Sequence, residues 1–265
     1  MADVIAARQA ADAAAAASGV IVSEAVDREA QDAARALFDE VWPGDLGTQV
    51  TPNLLRALLH AGSYCSVATD VSTGAHVGAA FGFPGRDARV PGGIFLHSHM
   101  AGVTEGLRDR RIGTALKLHQ RWWVMREGIP IVSWTFDPLV RRNAWFNLHV
   151  LGAIGTEYHE NFYGPLRDDI NGDDDSDRLL ARWDIDSPRS RSASSAPLPA
   201  IEPRPGDHLV ATPTDIVQTR RSDDAAARHW RRSLRADLQS LLDDHDVIGL
   251  TADGAYVARI RTDNS

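Results

Sequence analysis

"GVTEGLRDRRIGTALKLHQRWW", residues 102–123, opens like the end of a buried strand and closes as a helix. Arg108, Arg110 and Arg111 stand just before that helix, and Arg121 lies far along it. A helix N-terminus already carries positive potential, so cations crowd there unfavourably unless something anionic joins them. The first N–H groups of a helix have no partner inside it and face outward, which makes the same place an anion site. A strand ending at Val103, a short loop and a helix starting near Ile112 build such a site here. A pyrophosphate suits several N–H donors at once. The residues alone do not choose between a nucleotide, a dinucleotide and coenzyme A.

Three strands precede this stretch in succession. "YCSVATD" (64–70) and "HVGAAFGF" (76–83) read as a hairpin around "VSTGA", and "GIFLHSHMAGV" (93–103) is the third. Further upstream, "GVIVSEAV" (19–26) is a short β-branched run. "DREAQDAARALFDEVW" (27–42) has Asp27 as N-cap and apolar residues at 30, 33, 34, 37, 38 and 41, which is helical spacing. "TPNLLRALLHAG" (51–62) has a threonine cap, proline at the first helical position and a terminal glycine, so it is a second helix. Downstream, the helix 111–127 puts residues 112, 115, 116, 119, 122 and 123 on one face. "IPIVSWTFD" (129–137) is a buried strand, "DPLVRRNAWFNLHVLG" (137–152) a helix, and a last strand falls in 153–163. The order β-α-α-β-β-β-α-β-α-β implies an α+β fold with a mixed sheet rather than a purely parallel one.

Residues 1–18 are alanine-rich and read as a helical or frayed, flexible N-terminal extension; they lack a basic n-region and make a poor signal peptide. The main domain spans 19–185. "DSPRSRSASSAPLPAIEPRP", within 186–206, is rich in Ser, Pro and Arg and reads as a linker. In 207–265, apolar residues at 227, 230, 234, 238, 241 and 242 make an amphipathic helix, and "VIGLTADGAYVARI" makes a hairpin turning at Asp253-Gly254. This C-terminal extension either caps its own subunit or exchanges with a neighbour in a homodimer.

The 265 residues carry a net charge of −8, with 43% hydrophobic and 24% charged content, ordinary for a globular chain. That balance argues against a generic nucleic-acid binder, which needs a basic face. No apolar run approaches the ~20 residues that cross a bilayer, so a cytoplasmic protein with no membrane or nucleic-acid partner is expected. The one cysteine, Cys65, excludes an internal disulfide and reads as a small buried hydrophobe.

The opening stretch resembles the acetyl-CoA motif of the GNAT acyltransferase superfamily, Q/R-x-x-G-x-G/A, which a strand precedes and a helix follows. One register takes Arg110, Gly113 and Ala115 and fits the pattern formally. The other takes Arg108, Arg111 and Gly113, with arginine where the first glycine is usual. The second is preferred, because it keeps the family's spacing from Val103 to Ile112-Gly113 and leaves Leu116 pointing inward. "RRNAWFNLHVLGA" (141–153) resembles the family's later helix, with Ala144 on the family alanine and Leu148 on the tyrosine that often protonates the leaving thiolate. The runs "LHSHMAGV", "SWTFDPL", "YHENFYG" and "SDRLLARW", and weakly "HWRRSLRADL", extend the resemblance to a poorly characterised branch over most of 20–260.

The resemblance implies a GNAT-like fold, α+β and three-layered: a mixed, mostly antiparallel central sheet flanked by helices, with the helix and hairpin added at the C-terminus. It implies acetyl-CoA or another acyl-CoA as cosubstrate. Ala101, Val103, Arg108, Asp109, Arg110, Arg111, Gly113, Thr114 and Asn143 would hold it, and backbone near Met100 would contact the thioester. The acceptor would be a small-molecule amine or an amino acid, the group moved acetyl or succinyl.

For a base, His97 and His99 lie two apart on one strand face, and an imidazole suits proton removal near neutrality. His99, nearer the acyl end, is preferred of the two; the alternative for the pair is hydrogen-bonded core or surface residues, and Glu105 and Glu157 are reserves. H-x-H is also a metal-ligand pair, but no further Cys, His or carboxylate motif completes a site. Tyr163 either replaces the missing acid at Leu148 or packs as an aromatic. Arg178 either grips a carboxylate bidentately or forms a structural salt bridge. "DDINGDDDSD" (168–177) lacks the calcium-loop spacing and reads as a solvated turn. Two other readings stay open: a non-catalytic acyl-CoA-binding protein, and a metal hydrolase using His97 and His99.

Overall fold

The computed structural model describes residues 2–42, 48–164 and 175–262, without the side chains of residues 2 and 108. Most of the acidic run 168–177 therefore lies outside the described residues. The chain divides into two compact units. The first holds 1–133 with 184–186, the second 134–183 with 187–265. The sequence places its boundaries elsewhere, because the division falls inside one continuous strand that has no composition shift to mark it.

The first unit begins with α1 (Ala2–Ala17), a full helix rather than a frayed extension. Ala7, Ala11 and Ala15, four apart, are buried. β1 (Val20–Glu24) follows. α2 (Arg28–Val41) is capped by the Asp27 carboxylate, which accepts from the Ala30 N–H. α3 (Pro52–His60) starts with a Thr51 cap and Pro52. Then come β2 (Tyr64–Asp70), β3 (His76–Arg86), β4 (Ile94–Val103), α4 (Ile112–Arg126) and β5 (Ile131–Phe136). β1, β2, β3 and β4 pair antiparallel in that order, and β4 pairs parallel with β5 at Leu96–Val132 and His97–Ser133.

One face of this sheet packs Val67, Phe81 and Met100 against Leu37 and Phe38 of α2 and Leu55 of α3. α4 lies on the other face. It comes close because Gly78 has no side chain: a Cβ there would stand 3.0 Å from Ile112 Cγ2 and 3.2 Å from Leu116 Cδ1. Cys65 is buried, and desolvation pushes its thiol pKa up to about 12, as suits a packing role.

The second unit contains α5 (Arg141–Trp145), which widens into a π-turn over Phe146–Val150, then β6 (Ile154–His159) and β7 (Arg178–Asp184). The stretch read as a linker holds α6 (Pro188–Ser195), capped by Ser187. β8 (His208–Val210), α7 (Ile216–Ser222), α8 (Asp224–Leu241), β9 (His245–Leu250) and β10 (Tyr256–Ile260) complete it. β7, β6, β9, β10 and β8 are neighbours in that order, all antiparallel where their registers are defined. The α+β class and the mixed, mostly antiparallel sheet agree with expectation.

Candidate functional site

β4 carries an irregularity that the sequence does not announce. Phe81 pairs with Met100 and Gly82 with Ser98, so His99 is one residue too many. Such a β-bulge shifts the alternation of side chains by one. Ser98 accordingly faces α4, where its Oγ accepts from Lys117 Nζ at 2.6 Å. Met100, also even-numbered, faces α2 and α3 instead. Gly102 follows it: a Cβ there would meet Val41 and Trp42 at 3.1–3.3 Å. Gly82 opposes the bulge, and its missing Cβ would lie 2.8 Å from the His97 carbonyl.

His97 and His99 share one face, as expected, with ring centroids 5.9 Å apart. Phe83 stands 5.1 Å from His97 and 5.6 Å from His99. This aromatic wall desolvates both imidazoles and so disfavours their charged forms. The His97 pKa falls to about 4, through burial first, then the charges of His99 and Lys117. His99 is also lowered, by burial, although its side chain reaches solvent. Both are neutral at pH 7 and able to accept a proton. Among the described residues, no group of three or more His, Cys, Asp or Glu side chains is placed to hold a metal ion.

Beyond His97, residues 98–103 of β4 have β3 as their strand partner on one side. Among the described residues no strand pairs with their other edge. Ala101 is exposed and Val103 half-buried on this stretch. Thr104 closes the strand by donating its N–H to the Val77 carbonyl, 3.0 Å away. A short 3₁₀ turn over Arg108–Arg110 leads to Arg111, which adopts φ 60°, ψ 21°. That left-handed conformation is ordinarily glycine's. α4 starts immediately after it. The N–H groups of Ile112 and Gly113 have no acceptor among the described residues, and no side chain caps them. Arg111 and Asp109 are exposed beside them, and Thr114 is half-buried.

The structure uses Arg110 differently from expectation. Its guanidinium donates to Asp70 Oδ2 at 2.6 Å and to the carbonyls of Ser18 and Gly19 at 3.0 and 3.3 Å. It clamps the loop to the start of β1, with its side chain still partly exposed.

Lys117 is a residue the sequence reading missed. It is buried on α4, donates to Ser98 Oγ and to Gln120 Oε1, and burial lowers its pKa to about 7. A lysine within an apolar face was the available signal.

In the second unit, Asn143 is exposed in α5. Leu148, where the sequence resemblance expects a tyrosine, is fully buried in the π-turn and offers no proton. Tyr163 is exposed, with its Oη 3.3 Å from Thr135 Oγ1. Arg178 lies beneath it, its Cζ 5.3 Å from the Tyr163 ring centroid, and forms no salt bridge among the described residues.

No family model matches the chain, and no curated protein matches it. Solved structures do. The chain is similar to the NatC complex bound to Gag peptide and CoA, at 15% identity and TM-score 0.48 over 62% of this chain and 98% of that one. It is similar to aminoglycoside 6'-acetyltransferase type Ii, at 18% identity and TM-score 0.47 over 63% and 98%. A GNAT family acetyltransferase from Elizabethkingia anophelis with acetyl-CoA bound matches at 12% identity and TM-score 0.45, over 63% and 98%. At such scores and identities the likeness decides neither activity nor substrate, which are left to the site itself.

Proposed function

We propose that the protein is an acyl-CoA-dependent N-acyltransferase that moves an acetyl or succinyl group to the amine of a small molecule or amino acid. One observation carries this reading: β4 breaks register at His99, and among the described residues the far edge of 98–103 has no strand partner. An open edge takes up an extended chain bearing amides. Pantetheine is such a chain, with two amides, and it ends in the thioester. The edge leads to the loop 104–111 and the open N-terminus of α4, where the diphosphate finds donors from Ile112 and Gly113. The left-handed turn at Arg111 supports the register that sets Arg108, Arg111 and Gly113 on the motif, since that register puts the consensus glycine where φ is positive.

In this reading the amine nitrogen attacks the thioester carbonyl. A C–N bond forms, the C–S bond breaks, and the negative charge passing through the carbonyl oxygen is met by backbone N–H on β4. Neutral His99 accepts the amine's proton. The departing thiolate takes a proton, for which Tyr163 is the candidate donor. Asn143 is a candidate cofactor contact. A second reading, acyl-CoA binding without transfer, is favoured by one feature: buried Leu148 supplies no acid.

Amine-dependent release of free thiol from acetyl-CoA, with CoA binding followed separately by calorimetry, tests both. Binding with turnover is expected. Binding without turnover for any amine leaves the second reading, and absence of binding ends both.

A further inference from the structure

We propose that Arg178 is a carboxylate-binding residue, which takes a small molecule carrying a carboxylate, such as a free amino acid. The proposal stands apart from the acyl-transfer reading.

Arg178 is 8% exposed. A buried charge is costly unless it is paired, and a guanidinium has five N–H donors to satisfy. Arg178 makes one hydrogen bond, from Nη1 to the Asp177 carbonyl at 2.9 Å, and no ion pair among the described residues. The two buried carboxylates of its surroundings are already filled. Asp137 Oδ1 accepts from the Leu139 N–H and Arg231, and its Oδ2 from Arg220 and Arg231. Asp177 Oδ1 accepts from the Asn161 N–H and Arg235, and its Oδ2 from Tyr158 and Arg235. A carboxylate offers about four lone-pair sites, and each of these two uses four. Among the described residues, Arg178 is therefore a buried cation with no carboxylate bound to it directly.

The surroundings are also built to hold it in place. Tyr163 lies over the guanidinium, fixed by its N–H to Ser176 Oγ at 2.9 Å. Asn161, at φ 46°, holds that turn by accepting from Ser176 Oγ at 3.2 Å. Desolvation lowers the Arg178 pKa, partly offset by the charge of Asp137. An entering carboxylate that takes the free Nε and Nη donors would relieve that cost, with the planar match that favours arginine over lysine.

The test uses the full chain and, as probes, free L-amino acids and the same compounds as carboxamides. Binding is read by calorimetry, and transfer by thiol release from acetyl-CoA. The acids are expected to bind roughly 10- to 100-fold tighter than their amides, the range of a hydrogen-bonded charge. Arg178→Met should equalise the two, and Arg178→Lys should keep part of the preference. Equal affinity of the wild type for acid and amide overturns the proposal. So does a lack of binding by every acid, or a preference that survives Arg178→Met. The wild-type comparison stands even where a variant fails to fold. Loss of CoA binding alone sinks the acyl-transfer reading and leaves the carboxylate site in place.

Discussion

Arg111 and His99 occupy backbone positions that their side chains do not explain. A non-glycine residue in the left-handed region costs about 1 kcal/mol, whereas glycine adds a comparable entropy to the unfolded chain. Arg111→Gly should therefore stay within about 0.5 kcal/mol of the wild type in urea unfolding, and Arg111→Ala should be no more stable than wild type. Both should weaken CoA binding in calorimetry if the exposed guanidinium reaches the phosphates. An unchanged dissociation constant would remove it from the site. His99 makes a kinetic prediction. Its lowered pKa means that it stays neutral, and so basic, somewhat below pH 6.5. The acid limb of kcat/KM should fall below the ordinary imidazole value. His99→Ala should remove that limb and lower kcat by about 10²–10⁴; a limb that survives would assign the proton to another group.

Elements were legible in the sequence where apolar and polar residues contrast. α2, α3 and α8 have caps and periodic faces, α4 has a recurring apolar pattern without a side-chain cap, and β2 to β5 and the β9–β10 hairpin have alternation or buried runs. α1 was not legible as a packed helix, because its buried Ala7, Ala11 and Ala15 sit among other alanines and give no contrast. α6 was not, because it is held by polar contacts: Arg189 donates to the carbonyls of Gly152, Leu148 and Ile248. The bulge at His99 is invisible for a different reason. It depends on what lies opposite, and only the pairing with Gly82 reveals it. The α1 packing can be tested. Ala11→Leu inserts three carbons into a closed contact and should cost about 1–3 kcal/mol in urea unfolding, against about zero for an exposed position such as Ala13. Equal effects at both positions would mean that α1 is not docked.

At the scale of the whole molecule, buried bases set how stability follows pH. His119 donates to or accepts from Tyr64 at 2.9 Å and is buried, with its pKa lowered to about 4, chiefly by desolvation. Unfolded, it would titrate near 6.5. Between those values the unfolded state binds more protons, so stability rises with pH there. Its full contribution is present above 6.5 and is lost as pH falls toward 4. Lys117 follows the same rule in another window: about 7 folded, about 10.4 unfolded, so its contribution grows from pH 7 to 10. The net charge of −8 works against that alkaline gain by self-repulsion, so the wild-type profile alone does not isolate the lysine. The difference between proteins does. Relative to wild type, Lys117→Met should gain most at pH 7, by up to about 1.4 kcal/mol per pH unit of the window, and the gain should shrink steadily toward pH 10. His119→Gln should show the same narrowing between pH 4 and 6.5. A difference constant across pH would mean that the Lys117 ammonium is as well solvated in the fold as in the open chain. The Ser98–Lys117 contact beside the bulge would then be an ordinary hydrogen bond rather than a buried charge.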